Sequence, residues 1–591
     1  MCGVFGYTGS SEANNLVFDG LKRLEYRGYD SWGIAVHDEK EIKIYKNIGE
    51  IQRNDKFNNL PKSNIAIGHT RWATHGGVSV KNAHPHFSSD KSFSLVQNGI
   101  VENCESLKKK LIQEGYSFKT ETDTEVIVRL IEKELKRTKD LNTAVKKAFT
   151  KLKGRNTIVI LTNKEKKILA VKNGSPLVVG IGKDGTYLAS DSLSFSPYTN
   201  EIISLDNFDF LEIKGKEIRI ENIKTGKKKI KVKKIKNTST DIDKGEYKHY
   251  MIKEIVEQKN TIVNATQYTK KSLSPVLQAI KNAHRVYIVG AGTAGFAAGQ
   301  ISYFLRNIAQ IDAQDVRSYE FKSYINIIRR EDLVIAVSQS GETADTIEIL
   351  EIAKEKGCKI ASIVNMFGTT ISKMSDYSYF TNAGPEICVA STKVFTAQCS
   401  WGYLISKALV NKEKEAKENI NELSCKFDTY FCQKTYKGII ELSHKLKNKE
   451  HLFVLGKGQN SFIALEGALK IKEISYKHIE GFMAGELKHG VIALIEKDTP
   501  VFSIISDDDD SQDIISATEQ VRSRGAFTIG IGDKKFEKYD IWDSFISTPQ
   551  VPELSSISNI TAFQLFSYFL SKELGNNIDK PRNLAKSVTV K

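Results

Sequence analysis

Apolar positions in the first 235 or so residues fall in short β-branched runs broken by Gly and Asn, as in SNIAIGHTRWATHGG, SFSLVQNGIVEN, NTIVILTN, KILAVKNGSPLVVGIG and TYLASD. Runs of this length between turn residues predict strands in antiparallel sheet, with helices such as Asp123 to Arg137 covering a face. In KTGKKKIKVKKIK (Lys224 to Lys236), Ile230 and Val232 alternate with lysines, which predicts a solvated edge strand. The polar stretch NTSTDIDKGEYKHY then marks a domain boundary. Beyond it, buried runs alternate with long helical patterns, the signature of parallel βαβ units. This half also repeats itself. RVYIVGAGTAGFAAGQISYFL from Arg285 matches HLFVLGKGQNSFIALEGALKI from His451, each a strand, a Gly-rich turn and a helix. The next strands expected are LVIAVSQSGETADT and PVFSIISDDDDSQD, so two copies of one doubly wound α/β domain account for the length.

Composition narrows the classes. A chain of 591 residues suggests several domains at about 150 residues each. No apolar run reaches the roughly 20 residues of a membrane span, and no basic-then-apolar start marks a secretory signal. The seven cysteines lack C-x-x-C spacing, against zinc sites and a disulfide framework, and a cytoplasmic, reducing setting is expected. A net charge of +15 invites a nucleic-acid reading. The lysines are spread through the chain, however, and no nucleic-acid partner is expected.

Several stretches carry candidate chemistry. Cys2 directly follows the initiator methionine. It is either a buried thiol or, with the methionine trimmed, a nucleophile whose own α-amine, with a pKa near ~7.7–8.0, takes its proton. GAGTAG (Gly290 to Gly295), with Asp312 and Asp315 about 20 residues on, fits a dinucleotide turn. Its rival is SQSGET, where Ser338, Gln339, Ser340 and Thr343 crowd donors onto a turn that opens a helix. Such a turn cradles one phosphate, or else merely caps the helix. The second copy reads SDDDDS, whose carboxylates would repel phosphate. It keeps a different set: Glu466, Lys470 and Glu473 at i, i+4 and i+7 on one helical face, either a solvated pair or an acid–base cluster. His489, between Lys488 and Gly490, offers an imidazole for acid–base work, and Lys586 sits in a polar tail. His84 and His86 lack a third ligand, so packing or hydrogen bonding is expected of them rather than metal.

Taken together, MCGVFGY, RLEYRGYDSWG, GHTRWATHG, NAHPH, NGIVEN, ETDTEVI, SQSGETADT, NAGPEICVASTK, ALEGALKIKEISY, AGELKHG and PRNLAKSVTV resemble the glutamine–fructose-6-phosphate aminotransferase (isomerising) family over essentially the whole length. The resemblance implies an α/β multidomain chain. An N-terminal-nucleophile αββα glutaminase domain (2–238) would be followed by a linker (239–250), two doubly wound sugar isomerase domains (251–435 and 436–575) and a catalytic tail (576–591). It implies conversion of fructose 6-phosphate and L-glutamine to glucosamine 6-phosphate and L-glutamate, the first step of hexosamine biosynthesis, in a homodimer with no cofactor or metal. Cys2 would be the nucleophile and Asn98 with Gly99 the oxyanion hole. Arg71 and Asp123 would clamp the α-carboxylate and α-amine of glutamine in a pocket lined by Thr74, His75 and Gly76. Thr293, Ser338, Gln339, Ser340, Thr343, Val389 and Ser391 would hold the sugar phosphate. His489 would open the ring, Lys586 would form a Schiff base, and Glu473 would move the proton between C1 and C2 with support from Lys470 and Glu466. Trp72 resembles the indole that gates internal passage of ammonia.

The chain departs from the family pattern at Ala294, Gln97, Trp32 and Lys591, none of them a reacting group. Three other readings compete: an amidotransferase acting on phosphoribosyl pyrophosphate, a sugar-phosphate sensor without turnover, and a nicotinamide-linked oxidoreductase built on GAGTAG.

Overall fold

In the computed structural model of the chain, residues 2–234 and 243–588 are described. Met1, Lys591 and the predicted boundary at 238/239 lie outside the described residues. The chain divides into two compact units, Met1–Ser239 with Ser587–Lys591, and Thr240–Lys586.

The first unit contains two antiparallel sheets whose central strands bury both faces. In Gly3–Gly9, Val4 points into the core between the sheets, whereas Phe5 and Tyr7 point at the helix Ala13–Leu24. Successive side chains of a strand face opposite ways, so burial on both sides replaces polar–apolar alternation with continuous apolar runs. The eight-stranded sheet runs, edge to edge, Val232–Lys234, Glu201–Ser204, Val178–Ile181, Gly185–Ala189, Gly3–Gly9, Ile65–Arg71, Ser31–His37, Ile42–Ile48. The seven-stranded sheet carries Phe93–Gly99 between His86–Phe87 and Asn156–Thr162, and the helices Asp123–Thr138 and Leu141–Phe149 cover its outer face. Four layers, αββα, result. Trp32 fills the outer core of the first sheet against Phe18, Tyr45 and Phe57.

The lysine-rich stretch is not one strand. Gly226–Lys227 pairs on the edge of the seven-stranded sheet and Val232–Lys234 on the edge of the eight-stranded one. Lys227, Lys233 and Lys234 point to water from these edges, whereas Lys228 between them pairs with Asp206 and the buried Asp209, consistent with the charge but not with a single ladder.

In the second unit two five-stranded parallel sheets share one topology. Their orders are Ala313–Arg317, Val286–Gly290, Leu333–Ser338, Lys359–Val364, Tyr377–Phe380 and His478–Met483, His451–Gly456, Pro500–Ile505, Phe527–Gly532, Ser544–Ser547. The first-named strand of each sheet interrupts the expected succession: it is a partly polar edge strand whose pattern carries little apolar signal. The helices Lys393–Leu409 and Ser555–Glu573 are buried almost all round, inside one core that spans both sheets. Gly299 lets the ring of Phe462 pack against Thr293–Ala309, where a Cβ would lie 2.3 Å from it. Among the described residues no helix is long and apolar enough to cross a membrane.

Candidate active site

Strand pairing decides where the residue-2 thiol goes. Gly3 lies opposite Thr70 in the antiparallel ladder, so Cys2 is level with Arg71 and Trp72. The Trp72 N–H donates to Cys2 Sγ at 3.4 Å, and the thiol donates to the Trp72 carbonyl at 3.6 Å. Burial pushes the Cys2 thiol up, and the Trp72 N–H and the Arg71 charge pull against it without overcoming it. Such a thiol needs a base before it can attack. Asn98 and Gly99 end the strand Phe93–Gly99, and Asn98 Nδ2 donates to Ser190 Oγ at 2.8 Å. Gly99 has φ +119°, and a Cβ there would lie 1.9 Å from the Arg155 carbonyl oxygen, so no other residue fits.

The segment after Arg71 folds back over its guanidinium, which donates to the carbonyls of His75 (2.5 Å), Gly76 (3.1 Å) and Gly77 (3.2 Å). Asp30 accepts the Ala73 N–H at 2.8 Å, and Glu121 accepts the Gly77 N–H at 3.3 Å. Two carboxylates thereby fix both ends of a loop whose Thr74 side is exposed. Asp123 opens the helix Asp123–Thr138 and accepts the Val101 N–H at 2.8 Å. His84 and His86 are buried with His69. His84 Nε2 pairs with Thr124 at 3.0 Å and His86 Nε2 with Thr122 at 3.2 Å, and burial holds both rings well below the usual histidine range. Their role is hydrogen bonding within the core. Gln97 joins this network through Asn156 (2.8 Å) and Thr124 (2.5 Å).

In the second unit, the strands Val286–Gly290 and Leu333–Ser338 are neighbours whose onward connections leave in opposite directions. That is a topological switch point, and a ligand crevice opens at the carboxyl ends of such strands. Thr293 and the loop 338–343 line it. Ser338 Oγ takes the Gly341 N–H at 3.0 Å and pairs with Thr343 Oγ1 at 3.1 Å, while Ser340 Oγ takes the Glu342 N–H at 3.2 Å. Thr343, the residue before the helix Ala344–Glu355, makes no side-chain bond to the first-turn amides. Gln339 is half-buried beside it. At the equivalent crevice of the second sheet Lys457 is bonded to Asp510 and Asp513, and Gln459 donates to Asp508 at 3.0 Å. Side chains occupy that copy. In the first copy Asp315 sits mid-strand, and the carboxyl end of Ala313–Arg317 presents Arg317 rather than the acid that would bind the ribose of NAD.

Two clusters of lysine and carboxyl side chains face this region. On the helix Ser461–Ser475, Lys470 Nζ lies 2.5 Å from Glu473 and 3.4 Å from Glu466, and donates to Thr293 Oγ1 at 3.0 Å. Lys470 and Glu466 are 0% exposed and Glu473 is 19% exposed. Burial pushes the Glu466 carboxyl up to about 8 against the pull of Lys470. Burial alone would lower Lys470, but its interactions with Glu466 and Glu473 override it and keep the ammonium charged. In the tail, Lys586 donates to Glu386 Oε2 at 2.5 Å, and Ser391 donates to the same oxygen at 2.8 Å. Glu386 Oε1 takes the N–H groups of Thr392 and Val394, at the start of Lys393–Leu409. Burial raises this carboxyl, but Lys586 and those N–H groups outweigh it and hold it below its ordinary value. The Val389 N–H donates to the Asp579 carbonyl at 3.1 Å, tying the segment before Ser391 to the tail.

Family profiles match at two levels. A glutamine amidotransferase domain matches residues 69–196, and a SIS domain matches twice, at 279–408 and 445–562. Curated relatives named glutamine–fructose-6-phosphate aminotransferase [isomerizing], from Pyrococcus horikoshii and Aquifex aeolicus, are each 39% identical, with 100% of both chains covered. The chain belongs to this aminotransferase family. A solved C-terminal domain of glucosamine-fructose-6-phosphate aminotransferase from Francisella tularensis is 30% identical, covering 57% of this chain and 99% of that one at a TM-score of 0.53.

Of the residues that the family resemblance singled out, the fold brings Cys2, Arg71 and Trp72 together. It joins Thr293, Glu466, Lys470 and Glu473 in one cluster and Ser391 with Lys586 in another. His489 stands apart: it is exposed, with no hydrogen bond or ion pair among the described residues. Sequence reasoning missed Glu386, Ser190, Asp30 and Asp579. Each is a lone polar residue whose partner lies far away in the chain, and no spacing rule marks it.

Proposed function

We propose that this chain transfers the amide nitrogen of L-glutamine to D-fructose 6-phosphate, giving L-glutamate and glucosamine 6-phosphate. The observation that carries the reading is the end-to-end match to relatives named for this reaction, which spans both the amidotransferase region and the paired SIS domains. The site geometry supports it. With the methionine removed, the α-amine of Cys2 takes the proton of its raised thiol, and the thiolate adds to the glutamine carboxamide carbon. The Asn98 carboxamide and Gly99 N–H stabilise the oxyanion, ammonia leaves, and water releases glutamate from the thioester. Arg71 binds the α-carboxylate and Asp123 the α-amine, with Thr74, His75 and Gly76 closing the pocket.

At the other site Ser338, Gln339, Ser340, Thr343 and Thr293 hold the sugar phosphate, with Val389 and Ser391 along the chain of the sugar. His489 opens the ring. Lys586 is ion-paired at rest and passes a proton to Glu386 before its amine adds to the ketone at C2, with loss of one water. Ammonia displaces the lysine, and Glu473, its charge balanced by Lys470, carries the proton from C1 to C2. The uncharged form of Glu466 keeps that cluster near neutral at pH 7. A homodimer acting in the cytoplasm completes the proposal, and light scattering tests its mass.

The test is incubation with fructose 6-phosphate and glutamine labelled with ¹⁵N at the amide. Equal yields of glutamate and ¹⁵N-glucosamine 6-phosphate are expected. Glutamate formed without label in the hexosamine would sink the transfer.

A further inference from the structure

The strand Gly185–Ala189 pairs antiparallel with Gly3–Gly9, with Ala189 opposite Phe5. One residue on, the ladder continues in a different way. The Ser190 N–H donates to the Val4 carbonyl at 3.0 Å, but the Val4 N–H is taken by the Ser190 side chain, at 2.8 Å. The same Oγ accepts Asn98 Nδ2 at 2.8 Å. Asn98 belongs to the other sheet, so a single oxygen links the strand that begins directly after Cys2 to the side chain facing it across the core. Ser190 and Asn98 are each 4% exposed, and water does not readily substitute for the contact.

A carboxamide has two N–H donors. Ser190 takes one, and His69 is the other side chain that the Asn98 carboxamide meets. Anchoring the first N–H fixes the amide plane, and with it the direction of the second. Without the anchor, only His69 restrains the terminal torsion of Asn98, which is broad and roughly two-fold.

We propose that Ser190 is a positioning residue for the glutaminase step: its hydroxyl locks the Asn98 carboxamide in register with the Cys2 strand, so that the second N–H is already aimed at the developing oxyanion. This inference rests on the glutaminase reading above. Loss of an oxyanion donor costs about 10²–10³ in kcat. Loosening one without removing it should cost about 10–100-fold, as donor misplacement does.

The experiment uses the full chain and the variants Ser190→Ala and Ser190→Cys, the second keeping the size of serine with a weak acceptor should alanine fail to fold. Expected are a kcat for glutamine hydrolysis about 10–100-fold below wild type and a KM within about threefold. Glutamate γ-semialdehyde, which adds to a thiol and places an oxyanion in the hole, should lose affinity by the same factor, while L-glutamate should not. In an Asn98→Ala background the Ser190 change should cost less than about threefold, because it acts through Asn98. A folded Ser190 variant with kcat within threefold of wild type overturns the inference and leaves the glutaminase reading standing. So does an equal loss in the Asn98→Ala background. A wild-type chain that frees no glutamate from glutamine overturns the glutaminase reading, and this inference with it.

Discussion

Replacing Lys470 by methionine removes a charge from the interior at nearly constant volume. The ammonium is 0% exposed and donates to Glu473 and Thr293, with Glu466 at 3.4 Å. Removing one partner of a buried pair costs about 3–5 kcal/mol, because the other is left charged without compensation. Glu466 adds little to that cost, since burial has already pushed its carboxyl up to about 8 and it holds its proton at pH 7. Glu473 bears the rest and, at 19% exposure, recovers part of its hydration. The low end of the range follows, about 3 kcal/mol, or roughly a hundredfold in an opening constant. Amide hydrogen exchange within Ser461–Ser475 of the full-length chain at pH 7 reads this directly, since local opening sets the exchange rate. The amides of Lys470→Met should exchange about 100-fold faster, and Lys470→Met/Glu473→Gln should regain more than half of the loss on a free-energy scale. Exchange within threefold of wild type, or a double variant no better than the single, would refute the reasoning that an uncompensated Glu473 charge carries the cost.

Cys2→Ala should abolish glutamate release while leaving the melting of the second unit unchanged, as calorimetry and a glutamate assay on one preparation would show; residual glutaminase above a hundredth of wild type counts against the thiol. The Glu466 carboxyl is raised from 4.5 to about 8 in the fold, so the folded state holds a proton that the unfolded chain releases. Its stabilising contribution is complete below about pH 4.5 and is lost as pH rises through about 8. Glu466→Gln should therefore flatten the fall in melting temperature between pH 5 and pH 9, and an unchanged slope contradicts the assignment. Asp579 takes the N–H groups of Tyr250 and Met251, both at 3.0 Å, and pairs with Lys244 at 3.5 Å, anchoring the tail that carries Lys586. Asp579→Ala should cost about 1 kcal/mol in helix capping. It should lower hexosamine formation while glutamine hydrolysis keeps its KM; equal loss of both activities would mean a general folding defect.

Much of the architecture is written locally. Short apolar runs between turn residues, and later strands alternating with helical periodicity, determine antiparallel sheet followed by parallel βαβ units, because side-chain period and turn chemistry belong to each segment by itself. The repeat from Arg285 and His451 determines the doubled domain, and the spacing 466, 470, 473 determines one helical face. Only the tertiary structure decided what that face meets: Thr293, 173 residues earlier, and an interior that leaves Lys470 without water. Likewise the lysine-rich stretch announced an edge but not two edges, since the choice of sheet depends on partners far away in the chain. Glu386 beside Lys586 is separated from it by 200 positions, and Ser190 meets Asn98 across 92. Periodicity reports the environment averaged over one turn or one pleat. A hydrogen bond or ion pair between distant segments exists only once the chain has closed, and it leaves no trace in the order of residues on either side.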